Sequence, residues 1–249
     1  FDNNDRPGIL LSSAIKRYSD LFGVACGEKN ILFTNNDSAY ETAISLIQKG
    51  INIEAVVDNR DEIDSKLVHE VEKNNIKVFK GFTVVNTFGY KRINKISIMQ
   101  LSKDGQKVIG TKINLSCDCL GISGGWTPAV HLFTQSGGKL KFKDEDQVFI
   151  PSIYSSDQIS IGSCNGDLTL DEILKNTQKS LKEFLNLKNT EYENIEVLSS
   201  TNKSKRNIWL LPSDKILGKT KSFVDYQNDA TAKDIKLALR EGFRSIEHV

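Results

Sequence analysis

The sequence predicts an α/β protein centred on a parallel sheet with crossover helices. Three observations lead there. Residues 31–58 (ILFTNNDSAYETAISLIQKGINIEAVVD) run from an apolar stretch through a small polar turn into an amphipathic stretch, then past Gly50 into a second apolar run closing on Asp58, the proportions of strand, helix and strand. Residues 62–75 are charged with Leu67, Val68 and Val71 on one face, and 76–80 form a short strand. Residues 82–86, 93–101 and 107–115 read as antiparallel strands with Asp104-Gly105 as a hairpin turn, and 117–123 (CDCLGIS) is a closing buried strand. That order belongs to a Rossmann-like FAD/NAD(P)-binding fold of the two-dinucleotide-binding flavoprotein type: βαβ, three layers, an antiparallel excursion, and here a C-terminal helical segment.

The turn after the first strand departs from the dinucleotide pattern. The expected glycines fall on Thr34, Asn36 and Ala39, and only Ala39 is small enough to let helix pack on strand. Asn36 carries a side chain where bare backbone should approach a pyrophosphate. Asp37 adds a negative charge at the helix N-terminus, where two phosphates should sit. Ser38 and Glu41 have the spacing of a capping box. The unit reads as a dinucleotide fold that has lost its phosphate site.

Composition narrows the class without choosing within it. Among 249 residues, 33 basic and 32 acidic side chains leave a net charge of +1, which argues against a dedicated nucleic-acid surface. No apolar run reaches the roughly 18–20 residues that span a bilayer, and no secretory leader pattern opens the chain. Four scattered cysteines (Cys26, Cys117, Cys119, Cys164) do not make a disulfide framework and suit a reducing cytoplasm.

In chain order, residues 9–22 have helical spacing (Leu10, Leu11, Ala14, Ile15, Tyr18, Leu21) and end at Gly23, with no strand expected before them. Beyond Trp126 the composition shifts. Residues 127–136 suggest a short helix, 139–148 strand or loop, and 159–165 (ISIGSCN) a buried strand feeding a long helix over 168–187, with Asp167 as its N-cap. Such a strand-to-helix turn is either a second phosphate site or a tight turn made by Gly162 and Gly166. Residues 188–222 are polar and lysine-rich, a linker docking through Trp209-Leu210-Leu211-Pro212. A last helix is expected over 232–248. The opening FDNNDRPGILL and the uncapped Glu247-His248-Val249 read as the ends of a piece of a longer polypeptide.

No local constellation announces chemistry. Cys117 and Cys119, two apart in a strand, would share a face and could be half a metal site, but no second pair or nearby histidine completes four ligands. His69, His131 and His248 have no cysteine or serine neighbour in a nucleophile-like motif. No catalytic residue is assigned.

Five strings together carry a resemblance: FDNNDRPGILL, LFTNNDSAY, AVVDNR, CDCLGISGGWTPAVHLFTQSGGKL and KSFVDYQNDATAKDIKLALREGFRSIEHV. Along its whole length the chain resembles an internal part of the alpha subunit of heterotetrameric sarcosine oxidase. The resemblance implies an enzyme that oxidises sarcosine to glycine, passes electrons from FAD to FMN to oxygen, yields hydrogen peroxide, and gives the methyl carbon to tetrahydrofolate. It implies beta, gamma and delta subunits as partners, FAD on beta, FMN between alpha and beta, zinc only in delta, and NAD bound by alpha without a redox role. It implies neither nucleic acid nor membrane as a partner. It also implies a layout: 1–29 ending a first dinucleotide fold, 30–122 a second and degenerate one, 123–187 returning to the first, 188–222 a linker, and 223–249 opening a helical domain before a folate-binding domain. On that topology NAD lies mainly on sequence before Phe1, and Gly124, Gly125, Gly162, Ser163, Asn165, Gly166 and Asp167 are its candidate contacts here.

One departure from related amino-acid dehydrogenase subunits is informative. Their Cys-x-Cys, which helps hold an iron–sulfur cluster, falls near Val224 and Tyr226, which cannot ligate iron through sulfur, so no cluster is expected. Two other readings compete: a non-catalytic scaffold of another amino-acid dehydrogenase complex, and a thioredoxin-reductase-like NAD(P)H oxidoreductase. The latter needs a Cys-x-x-Cys and an intact glycine turn, and the chain has neither.

Overall fold

The computed structural model describes residues 1–155, 157–187, 197 and 207–245. It divides into two compact units, residues 1–125 with 202–249, and residues 126–201.

In the first unit β1 (Ile9–Leu11), α1 (Ser12–Phe22), β2 (Asn30–Thr34), α2 (Ser38–Gln48), β3 (Ile53–Asp58), α3 (Lys66–Lys73) and β4 (Lys77–Lys80) precede an antiparallel group, β5 (Phe82–Gly89), β6 (Ile93–Leu101) and β7 (Val108–Ser116), and β8 (Cys119–Ser123) returns. β8 inserts between β1 and β2, giving a parallel sheet in the order β1-β8-β2-β3-β4. Both faces of this sheet are covered, so its strands are apolar runs rather than alternating ones. Leu32, Val56 and Cys119 meet Ile15, Tyr40, Leu46, Val68 and Val71 in the helical layer. Ile31, Phe33, Ala55, Val57 and Leu120 meet Val84, Ile93, Ile96 and Ile98 in the antiparallel layer. These are the three expected layers.

Several boundaries differ from expectation. The helix expected over 9–22 starts at Ser12, because Ile9, Leu10 and Leu11 pair in parallel with Leu120, Gly121 and Ile122. Three residues are too few to show a strand period, and their partner lies far along the chain. α3 covers only Lys66–Lys73 of its expected range, and Asn75, at φ +60°, turns the chain out of it. β8 starts at Cys119 because the chain bends at Asp118, whose carboxylate accepts hydrogen bonds from the amides of Glu28 (3.0 Å) and Lys29 (2.9 Å). Of the expected docking cluster, Leu211 packs against the antiparallel layer while Trp209 and Leu210 stay exposed. Ion pairing of Lys112 with Asp214 (2.5 Å) and acceptance by Asp2 from the Ser213 and Ser222 hydroxyls (2.8 and 3.0 Å) hold this passage down. The rest of the expected linker, 188–196 and 198–206, lies outside the described residues. β11 (Phe223–Asp225), β12 (Ala230–Thr231) and α6 (Ala232–Arg240) follow. The last helix therefore ends at Arg240 rather than His248, with Gly242 at φ +96° beyond it and 246–249 outside the described residues.

The second unit holds α4 (His131–Gln135), a hairpin of β9 (Lys139–Lys143) and β10 (Val148–Ile153), and α5 (Leu170–Phe184). The strand expected over 159–165 is absent: Ile161 is extended without a ladder, and Gly162–Asn165 make a 3-10 turn. The N-cap of α5 is Thr169, not Asp167, in a reciprocal capping box with Glu172. No helix among the described residues is long and apolar enough to cross a membrane.

Gly121 fixes the approach of α1 to the sheet. A Cβ there would stand 2.6 Å from Leu32 Cδ2 and 2.9 Å from Ile15 Cδ1. Gly121→Ala is expected to cost about 1–3 kcal/mol through overpacking, read as a lower midpoint in chemical denaturation, while Gly124→Ala, with open space around it, leaves the midpoint in place.

Candidate functional site

In an open parallel sheet, ligands bind beyond the carboxyl ends of the strands. Here those ends are Thr34 of β2, Asp58 of β3 and Ser123 of β8, in register side by side. The segments leaving them fill the crevice with their own polar groups. Asn36 Oδ1 accepts from the Ser38 amide (3.1 Å) and its hydroxyl (2.6 Å), and Asn36 Nδ2 donates to the Ser123 carbonyl (3.0 Å). Thr34 Oγ1 accepts from the Asn36 amide (3.1 Å). Amides that would face a diphosphate are thus taken by side chains of the turn itself. The capping box expected between Ser38 and Glu41 is not formed; the N-cap is Asp37, and Asn36 takes the Ser38 donors instead.

Asp58 stands at the end of the second strand of the unit, where a dinucleotide fold places its ribose-binding acid. It is fully buried and already accepts from four donor groups: the Arg60 amide (2.9 Å), Arg60 Nε (3.1 and 3.3 Å), Arg60 Nη2 (2.8 Å) and the Tyr40 hydroxyl (2.9 Å). Arg60 Nη1 reaches the Asp37 carboxylate at 2.8 Å. Burial opposes the charge of Arg60, but hydrogen bonding to Asp58, then to Asp37, raises its pKa above the ordinary guanidinium value. Burial, then the Asp58 carboxylate, pushes the Tyr40 phenol upward. Asp37 therefore has a partner that neither the local charge pattern nor the turn signature revealed. Local spacing gives Arg60 and Tyr40 no role; the one signal it offers is an arginine two residues past a strand-ending aspartate.

Gly124 and Gly125 lie just past Ser123, exposed, with no atom within 4 Å of where a Cβ would sit, and Gly125 has φ +120°. They continue the rim of the same crevice in the first unit. The other five candidates are in the second unit. Gly162 (φ +68°) and Gly166 (φ +93°) bracket exposed Ser163 and half-buried Asn165, and Asp167 Oδ1 accepts from Asn176 Nδ2 (2.7 Å). The first turn of α5 carries Asp171 and Glu172, so this N-terminus suits hydroxyls better than phosphates.

Cys117 and Cys119 do not share a face. The bend at Asp118 sends Cys117 into the antiparallel core and Cys119 into the helical one, and burial pushes both thiols up to about 12. No group of three His, Cys, Asp or Glu poised for a metal occurs among the described residues. His69 sits 3.8 Å from Asp64 and 3.6 Å from Glu72 on an exposed surface, His131 opens α4, and His248 lies outside the described residues.

Known proteins resemble this chain at two levels, in sequence and in fold. The Sarcosine oxidase A3 domain family matches residues 219–249. The sarcosine oxidase subunit alpha of Corynebacterium sp. (strain U-96) is 30% identical across 100% of this chain and 26% of its own length. That of Rhizobium meliloti (strain 1021) is 29% identical, covering 99% and 24%. The chain is similar to sarcosine oxidase alpha subunits from end to end. It spans about a quarter of the length of the curated relatives it matches. Among solved structures, L-proline dehydrogenase from P. horikoshii gives a TM-score of 0.50 at 16% identity, covering 98% of this chain and 43% of that one. A cysteine-to-serine mutant of the flavoprotein disulfide reductase RclA from Escherichia coli gives 0.52 at 11%, covering 74% and 40%. These two share the Rossmann-like fold with this chain.

Two outcomes test this geometry. Tyr40→Phe removes one donor to the buried Asp58 and is expected to cost about 2 kcal/mol, measured by denaturant titration. Burial opposes ionisation of Asp118, but the Lys29 and Glu28 amides leave its pKa below the ordinary carboxylate value. Its stabilising contribution is then complete above the unfolded pKa near about 4 and disappears as pH falls through the lower, folded one. Asp118→Asn should melt below the wild type at neutral pH, with the gap closing in acid.

Proposed function

We propose that the chain is a central segment of the alpha subunit of a sarcosine oxidase-like oxidoreductase. The whole enzyme oxidises the N-methyl group of sarcosine, passes the two electrons through FAD and FMN to oxygen as hydrogen peroxide, and leaves glycine. Tetrahydrofolate takes the methyl carbon as its methylene adduct. The beta, gamma and delta subunits complete the assembly, zinc belongs to delta, and no iron–sulfur cluster is held at Val224 and Tyr226. The observation that carries this reading is similarity to sarcosine oxidase alpha subunits across 100% of the chain.

Within that assembly this segment supplies binding and docking surfaces rather than reacting groups. NAD, when bound, has a structural role and lies mainly on sequence outside these residues. The crevice of β2, α2 and β3 does not fit it, because Asn36 and Arg60 take up the donors and acceptors that a diphosphate and a ribose need. The exposed backbone at Gly124 and Gly125 does fit a close approach. Gly162, Ser163, Asn165, Gly166 and Asp167 are proposed as further contacts, with the Asp167 carboxylate suited to a ribose hydroxyl. The layout of an ended first fold (1–29), a degenerate second fold (30–122), a return to the first (123–187), a linker (188–222) and the opening of a helical domain (223–249) completes the proposal.

The test uses the complete enzyme assembled by co-expression of all subunits. Deletion of this segment is expected to abolish sarcosine-dependent peroxide, and peroxide that survives the deletion would overturn the assignment. Gly125→Val is expected to lower the NAD released on denaturation by at least about tenfold, because a side chain at φ +120° must displace the backbone that meets the ligand. Asn36→Ala should leave NAD content as it was.

A further inference from the structure

A buried pair of carboxylates is costly unless each finds a partner. In the β2–α2–β3 crevice the partner is shared: one guanidinium forks between Asp58 at 2.8 Å and Asp37 at 2.8 Å. The three side chains are all but sealed, at 3% exposure for Arg60, 4% for Asp37 and 0% for Asp58. Tyr40 closes the floor through its bond to Asp58 Oδ2. The backbone that delivers the guanidinium is held at both ends. The Arg60 amide binds the same Asp58 carboxylate, and the Arg60 carbonyl accepts from Gly81 at 2.8 Å. Gly81 suits this turn because its φ of +73° is one that other residues adopt only with strain. The positive end of α2 stabilises Asp37, which balances a cluster otherwise carrying two negative charges and one positive. A planar fork between two carboxylates is what arginine does and lysine cannot.

We infer that Asp37, Asp58 and Tyr40 form a guanidinium receptor and that Arg60 is its resident ligand, seated where a dinucleotide fold would hold ribose and pyrophosphate. The receptor takes guanidinium-class cations and rejects anions, the reverse of what the same crevice takes in a dinucleotide-binding fold. The inference does not depend on the sarcosine reaction, since its readout is stability.

The test is chemical rescue in the full-length protein. Arg60→Ala is expected to lower the melting temperature by roughly 10 °C, as loss of one partner from a buried ion cluster does in a protein of this size. Low-millimolar methylguanidinium should restore several degrees of that loss, with no comparable gain from sodium or ammonium chloride at equal ionic strength and none in the wild type. In Arg60→Ala/Asp58→Asn the gain should vanish. No guanidinium-specific gain in a folded Arg60→Ala protein, or a gain that persists in the double variant, would overturn the receptor. A rise with NAD or pyrophosphate as large as that with methylguanidinium would overturn it too, by showing a latent nucleotide site. Should Arg60→Ala fail to fold, refolding yield with and without methylguanidinium is the readout, and an unchanged yield counts against the proposal. Arg60→Lys, which keeps the charge without the fork, should melt between wild type and Arg60→Ala.

Discussion

The shared guanidinium of Arg60 is the interaction on which this crevice depends. Asp37 and Asp58 leave the ends of neighbouring parallel strands, and parallel register brings them together whatever their charges prefer. Left alone, two carboxylates under this degree of burial would repel each other. With Arg60 between them, each carboxylate has a guanidinium nitrogen at 2.8 Å, the turn after β2 is fixed against the turn after β3, and the helix α2 starts where Asn36 and Asp37 place it. The cluster is satisfied through geometry more than through charge alone, since Asp58 receives donors from a backbone amide, a guanidinium and a phenol.

The second organising constraint is the double covering of the parallel sheet. Helices lie on one face and a three-stranded antiparallel sheet on the other, so each strand contributes alternate residues to two separate cores. The bend at Asp118 shows the consequence at closest range. Two cysteines that a straight strand would place on one face are delivered to opposite cores, and their thiols are buried as small apolar groups rather than assembled as ligands. The same aspartate clamps the connection after α1 through two backbone amides, so it ties the entry of β8 to the entry of β2.

A fold can outlive the ligand that it is associated with elsewhere. The strand order and the crevice of a dinucleotide-binding unit are kept here, while the polar groups that would serve a nucleotide serve one another. The exposed Gly124-Gly125 turn differs in kind from the filled crevice beside it, because its backbone remains open to an approaching group.

The sequence by itself determined the α/β class, the three layers, the strand–helix–strand unit and the departure of Asn36 and Asp37 from a phosphate-binding turn. Those features are local: apolar runs, helical spacing and turn chemistry are written within a few residues of where they act. Tertiary structure alone decided that Ile9–Leu11 is a strand, that Cys117 and Cys119 part company, and that Asp37 is paired. A three-residue strand is defined by its partner, and a side-chain direction by a bend held from elsewhere. The ion cluster is the plainest case. Asp37 and Arg60 are charges on different loops until two parallel strands stop side by side, and only then does an aspartate that looked misplaced at a helix start acquire its counter-ion.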